Sequence, residues 1–130
     1  MTKKTFIISS VLTISFFLAG CGNDVTPPKV TNTYPQNGAQ DVDPNLTNIW
    51  VKFDEPMMDK SWSWAYTNKD QFPELAGTPS YEEGNTKNIL PVKLLPNHEY
   101  DIWINTENLK NFKDTAGNSA TPFELKFKTK

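Results

Sequence analysis

Ile49, Val51 and Phe53 alternate with Trp50 and Lys52, and strict alternation of apolar with other positions marks a half-buried β-strand. The pattern recurs twice. Tyr100, Ile102 and Ile104 alternate with Asp101 and Trp103, and Phe123, Leu125, Phe127 and Thr129 alternate with Glu124, Lys126 and Lys128. Less regular stretches predict strands over residues 29–34 and 61–66, and a hairpin of 78–82 with 87–94 closed by Glu83-Gly84-Asn85. Pro91 is expected to confine the second arm to an edge or a bulge, because proline has no amide hydrogen for the ladder. Pro73, Gly77 and Pro79 predict irregular chain over most of 67–79. Turn chemistry separates the runs at Pro35-Gln36-Asn37-Gly38, Pro96-Asn97 and Asp114-Thr115-Ala116-Gly117-Asn118. About seven short strands with turn signals between them, and no segment of helical period after the first twenty residues, predict an all-β antiparallel sandwich with Greek-key connections. Its expected core is Val30, Ile49, Val51, Phe53, Leu90, Val92, Tyr100, Ile102, Ile104, Phe123, Leu125 and Phe127.

One hydrophobic stretch does not alternate. Lys3 and Lys4 precede an apolar run from Phe6 to Ala19, which leads into Leu18-Ala19-Gly20-Cys21. A charged start, an apolar middle and a small-residue cleavage site describe a secretory signal, and the run is shorter than the ~20 residues that span a bilayer. The stretch resembles the lipobox of bacterial lipoproteins. That resemblance implies removal of residues 1–20, a diacylglycerol on Cys21, and a chain held to a membrane by lipid. Residues 21–28, ending in Pro27-Pro28, are then the lipidated cysteine and a short extended tether. Residues 29–130 are the folded domain.

Charge narrows the partners. Two of the 13 basic residues lie in the leader, so the mature chain sets 11 lysines against 15 acids, a balance of −4, and contains no arginine. A phosphate-reading surface wants the opposite sign, and nucleic acid is excluded as an expected partner. Cys21 is the only cysteine, so no intramolecular disulfide can form and the apolar core must hold the fold.

Two groups of phrases carry a family resemblance. Val30-Thr31-Asn32-Thr33-Tyr34-Pro35-Gln36-Asn37-Gly38-Ala39, Val42-Asp43-Pro44 and Ile49-Trp50-Val51-Lys52-Phe53-Asp54-Glu55-Pro56-Met57 open the domain. Leu94-Leu95-Pro96-Asn97-His98-Glu99-Tyr100, Phe112-Lys113-Asp114-Thr115-Ala116-Gly117-Asn118 and Phe127-Lys128-Thr129 close it. Together they resemble bacterial Ig-like domains of the S-layer and cell-surface type. The resemblance implies an Ig-like sandwich that acts as a spacer or binding domain, with no catalytic residues to carry over. Residues 61–81 depart from the family in being richer in aromatics.

Catalysis finds no support, so the expected protein is not an enzyme. His98 is the sole histidine and has no identifiable nucleophile partner, and a zinc site lacks a second histidine or cysteine. No cofactor is expected. Asp41, Asp43, Asp54, Glu55, Asp59 and Asp114 with Asn118 are oxygen donors of the kind calcium prefers, without an EF-hand spacing. Asp54, Asp59 and Asp114 are its weak candidates, against the commoner role of such residues in capping turns. The stronger functional lead is the set Trp50, Trp62, Trp64 and Trp103. Exposed on one sheet, these would form a strip for a protein or a sugar; the competing expectation has them packed beneath 67–79 as a second small core. The favoured expectation is a lipid-anchored envelope module, periplasmic or surface-exposed, that binds a protein partner. A glycan-binding module or a structural spacer are the alternatives.

Overall fold

The computed structural model describes residues 24–130. The expected signal peptide, Cys21 with its expected lipid, and the first part of the expected tether lie outside the described residues. Among the described residues, eight strands form two antiparallel sheets: β1 (Val30–Tyr34), β2 (Asn48–Phe53), β3 (Trp64–Ala65), β4 (Glu74–Leu75), β5 (Ser80–Glu82), β6 (Lys87–Lys93), β7 (Glu99–Ile104) and β8 (Phe123–Lys128). The larger sheet runs β1-β2-β6-β4 with β5 also on β6, and the smaller runs β3-β7-β8. The chain changes sheet after β2, after β3 and after β6, crossings of the kind that make a Greek-key sandwich.

The three alternating runs became β2, β7 and β8, and their inward residues meet between the sheets. Ile49, Val51, Leu90, Ile102, Ile104 and Leu125 are wholly buried, with Phe53, Val92, Tyr100 and Phe127 nearly so. Val30 and Phe123 pack against this core from its margin. Met57 and Phe112, both at zero exposure, complete it from loops that show no periodicity. Phe112 lies 5.3 Å from the Phe53 ring and 5.5 Å from Trp64.

Three expectations are corrected. Pro91 is not on an edge: β6 pairs with β2 on one side and with β5 and β4 on the other. The missing amide is tolerated because the outer neighbour is split, β5 matching residues 87–89 and β4 matching 92–93. Pro91 falls in the gap, and its carbonyl still accepts from Ala76 N at 3.0 Å. Second, residues 67–79 contain β4 and a short 3-10 turn, Lys69–Gln71, capped by Asn68, whose Oδ1 accepts from Asp70 N. Third, the strand expected over 61–66 shrinks to Trp64–Ala65. Side chains rather than a ladder hold the preceding residues: Ser61 Oγ donates to Asn111 O, and Asn111 N donates to Ser63 Oγ.

The edges are covered unequally. Residues 38–42 run beside β8, where Gly38 N donates to Lys126 O at 2.6 Å and Lys128 N to Ala39 O at 2.8 Å. Gly38 does so at φ +90, a conformation that glycine adopts without a Cβ penalty. Among the described residues, edge strand β3 pairs only with β7. At the pole where β2 ends and β6 begins, residues 24–29 lie against the domain. Pro28 is buried, its carbonyl accepts from Thr121 N, and Lys29 N donates to Asp54 Oδ1.

Candidate functional site

The four tryptophans do not form one strip. Register decides this, since residues paired across a ladder share a face. Trp64 pairs with the buried Ile104 and so faces inward, whereas Trp103, one position away, pairs with Ala65 and Glu124 on the outer face. Trp50 lies on the outer face of the other sheet, paired with Tyr34 and Ile89. Its indole stacks on Tyr34 with centroids 6.2 Å apart, and the Lys87 ammonium sits 4.3 Å from its ring. Trp62 precedes β3 and tilts against Tyr81 at 6.3 Å. The strand of Trp64 is paired antiparallel with the strand of Trp103. All four indoles are half-buried.

Trp62 and Trp64 meet in a groove of about 310 Å³ at the open side of the sandwich, between the β3 edge and the segment carrying β4 and β5. Leu90 and Phe72 contribute apolar surface inside it, and Leu75 and Leu109, each 50% exposed, stand at its rim. Leu109 is presented by a loop that Thr106 closes, its Oγ1 accepting from Leu109 N and its N–H donating to Leu109 O. Residues beneath 67–79 therefore do form an apolar patch, as the competing expectation had it, but only Trp62 and Trp64 belong to it.

A second cleft, of about 510 Å³, opens at the pole where β6 ends and β7 begins. Tyr66 and Phe72, with ring centroids 5.1 Å apart, line one part. His98 lines another, its ring 4.6 Å from Tyr100. His98 Nε2 lies 2.8 Å from the carbonyl of Asp70; a carbonyl only accepts, so Nε2 carries the proton. Burial raises the Tyr100 hydroxyl above its ordinary range, although the bond from Leu95 N opposes this. Sequence patterning did not single out this cleft, because its residues come from segments without periodicity.

The carboxylates regroup. Asp54 and Asp59, named with Asp114 as calcium candidates, accept from Lys29 N and Lys60 N respectively. Asp114 instead gathers with Asp24 and Glu55, all three offering oxygens within 4.8 Å of one another. Asp114 is wholly buried, and its Oδ1 accepts from Ala116 N and Asn118 N while Oδ2 accepts from Asn118 Nδ2. Burial works against its charge, but these bonds and one from Glu55 outweigh it and hold the carboxyl below the usual range. Glu55 moves the other way. Loss of water, the hydrogen bond to Asp114, and the charges of Asp114, Asp24 and Asp54 push it up to about 7. The cluster thus holds a proton near neutrality.

Two sheets ordered β1-β2-β6-β5/β4 and β3-β7-β8 define an Ig-like β-sandwich. The chain belongs to the bacterial Ig-like domain family, whose model matches residues 24–129. Among solved structures it is similar to the surface-layer protein SbsC, domains 1–6, at 18% identity and a TM-score of 0.45, over 79% of this chain and 14% of that one. It is likewise similar to the S-layer protein rSbsC at 17% identity and a TM-score of 0.44, over 88% of this chain. The chain spans 14% of the length of each. No match was found among curated proteins. Among the described residues no helix is long and apolar enough to cross a membrane.

Proposed function

We propose that the protein is a non-enzymatic, lipid-anchored module of the bacterial envelope that holds a partner protein in the groove between the β3 edge and β4–β5. The groove itself carries this reading. Its polar groups are few, its interior includes the fully buried Leu90, and two leucines are left half-exposed at the rim. An apolar side chain from an extended partner segment fits such a site, with the unpaired side of β3 beside it to receive backbone hydrogen bonds. The anchor rests on the lipobox at Cys21, which would keep the module at a membrane, on its periplasmic or outer side. Membership in a family without catalytic residues to carry over accords with a binding role.

The test places a photo-crosslinking residue at position 109 in the membrane-bound protein. A single partner protein should be captured, and Leu75→Asp should abolish capture without lowering thermal stability. Absence of any adduct, or an adduct indifferent to Leu75→Asp, would leave the groove without a partner and favour a spacer.

A further inference from the structure

The cleft at the opposite pole from residue 24 differs from the groove in chemistry. Asp24 lies where β6 begins, bound through its carbonyl to Asn118 Nδ2, whereas the cleft includes Lys93, the last residue of β6. Seven residues of strand place the two about 20 Å apart. Should Cys21 carry lipid, this is the end of the domain turned away from the membrane.

Tyr66, 46% exposed, and Phe72 offer aromatic surface in the cleft. Around them stand two cations, Lys69 and Lys93, and two anions, Asp70 and Glu74. Among the described residues the ion pairs are those of Glu83 with Lys52 and Lys87, so these four charges have no salt-bridge partner. The cleft is therefore electrically balanced and rich in both donors and acceptors. Its volume falls within the roughly 300–1,000 Å³ of small-ligand sites.

We propose that this cleft binds a neutral saccharide. A sugar ring has an apolar C–H face that packs on an aromatic ring, and hydroxyls that each donate and accept. The mixed set of ammonium, carboxylate and imidazole groups satisfies both functions of a hydroxyl, and the balanced charge gives no preference to an acidic polymer. Nucleic acid, which needs a basic surface, is disfavoured by two carboxylates in the lining. The tyrosine supplies the platform and His98, held by Asp70 O, a fixed polar edge.

The full-chain protein would be titrated with neutral tetrasaccharides of hexose and of N-acetylhexosamine, and followed by NMR at the His98 and Tyr66 rings. Saturable shifts confined to the cleft are expected for at least one tetrasaccharide. Tyr66→Ala should weaken binding about tenfold, the equivalent of one lost stacking contact, while Tyr66→Phe preserves it. Glu74→Gln and Lys93→Gln, at exposed positions that do not threaten folding, should each weaken it severalfold. Leu75→Asp, which tests the groove, should leave it intact. No shift with any neutral tetrasaccharide at millimolar concentration overturns the proposal. So does binding only of an acidic oligosaccharide, or binding unchanged by all three cleft substitutions.

Discussion

The indole Nε1 of Trp64 donates to Asn88 Oδ1 at 2.7 Å, and this one bond joins the two sheets through the interior. Trp64 belongs to β3 and Asn88, wholly buried, to β6. A buried amide needs a partner, because an unpaired one retains its full desolvation cost. The apolar groove thus has a polar fastening beside it.

Replacing Trp64 with phenylalanine keeps a ring against Phe112 but removes the donor. The stability loss should be about 1–3 kcal/mol, the cost of a buried acceptor left unpaired. Urea unfolding measures it. Asn88→Leu combined with Trp64→Phe should recover part of the loss, since both polar partners are then gone.

Asn105 directly follows β7 and fastens the long loop that begins there. Its Nδ2 donates to Phe112 O and Ala120 O, each at 3.0 Å, and its Oδ1 accepts from Phe112 N at 3.0 Å. The residue is buried and sits at φ 63, a region asparagine tolerates better than alanine. Asn105→Ala should cost about 3 kcal/mol or more. Hydrogen exchange at the Phe112 amide should accelerate in step, and an unchanged rate there would contradict the role.

Phe53, 2% exposed, closes one end of the core against Phe112. Phe53→Ala should lower stability by about 3–5 kcal/mol. A loss below about 1 kcal/mol, the range of surface substitutions, would place the ring outside the core.

Glu55 makes stability depend on pH in a direction unusual for a carboxylate. Its pKa rises from 4.5 to about 7 on folding, so between these values the folded state binds the extra proton. This contribution is fully present below pH 4.5 and is lost as the pH rises through about 7. Asp114 has its pKa lowered on folding, and its contribution is lost as the pH falls into the acidic range. The urea midpoint should therefore decline from pH 5 toward 8 in the native chain. Glu55→Gln, which keeps a neutral side chain at every pH, should flatten that decline and raise stability most at pH 8.

Lipid attachment has a simple readout. Cys21→Ser should move the protein from the detergent phase to the aqueous phase and leave the leader uncleaved at that site. Unchanged partitioning would remove the anchor from the functional reading.

Strand positions and their inward faces were determined by the chain itself at 49–53, 100–104 and 123–127, because alternation is a property of one strand and needs no partner. The turns at Gly38, Gly84 and Gly117 were equally local. Family membership too was legible, in phrases spread from Val30 to Thr129. The tertiary structure alone decided what depends on pairing and chain return. Trp64 faces inward and Trp103 outward because their places opposite Ile104 and Glu124 are set by register between strands. Pro91 is central because two short strands share its neighbouring edge. Phe112 and Met57 reach the core from loops without a pattern. Asp24, Glu55 and Asp114 are distant in sequence and converge only where the start of the domain, the end of β2 and the long loop meet at one pole. The groove and the cleft have the same origin: both are bounded by side chains from several segments, and their surfaces exist only once the two sheets have packed.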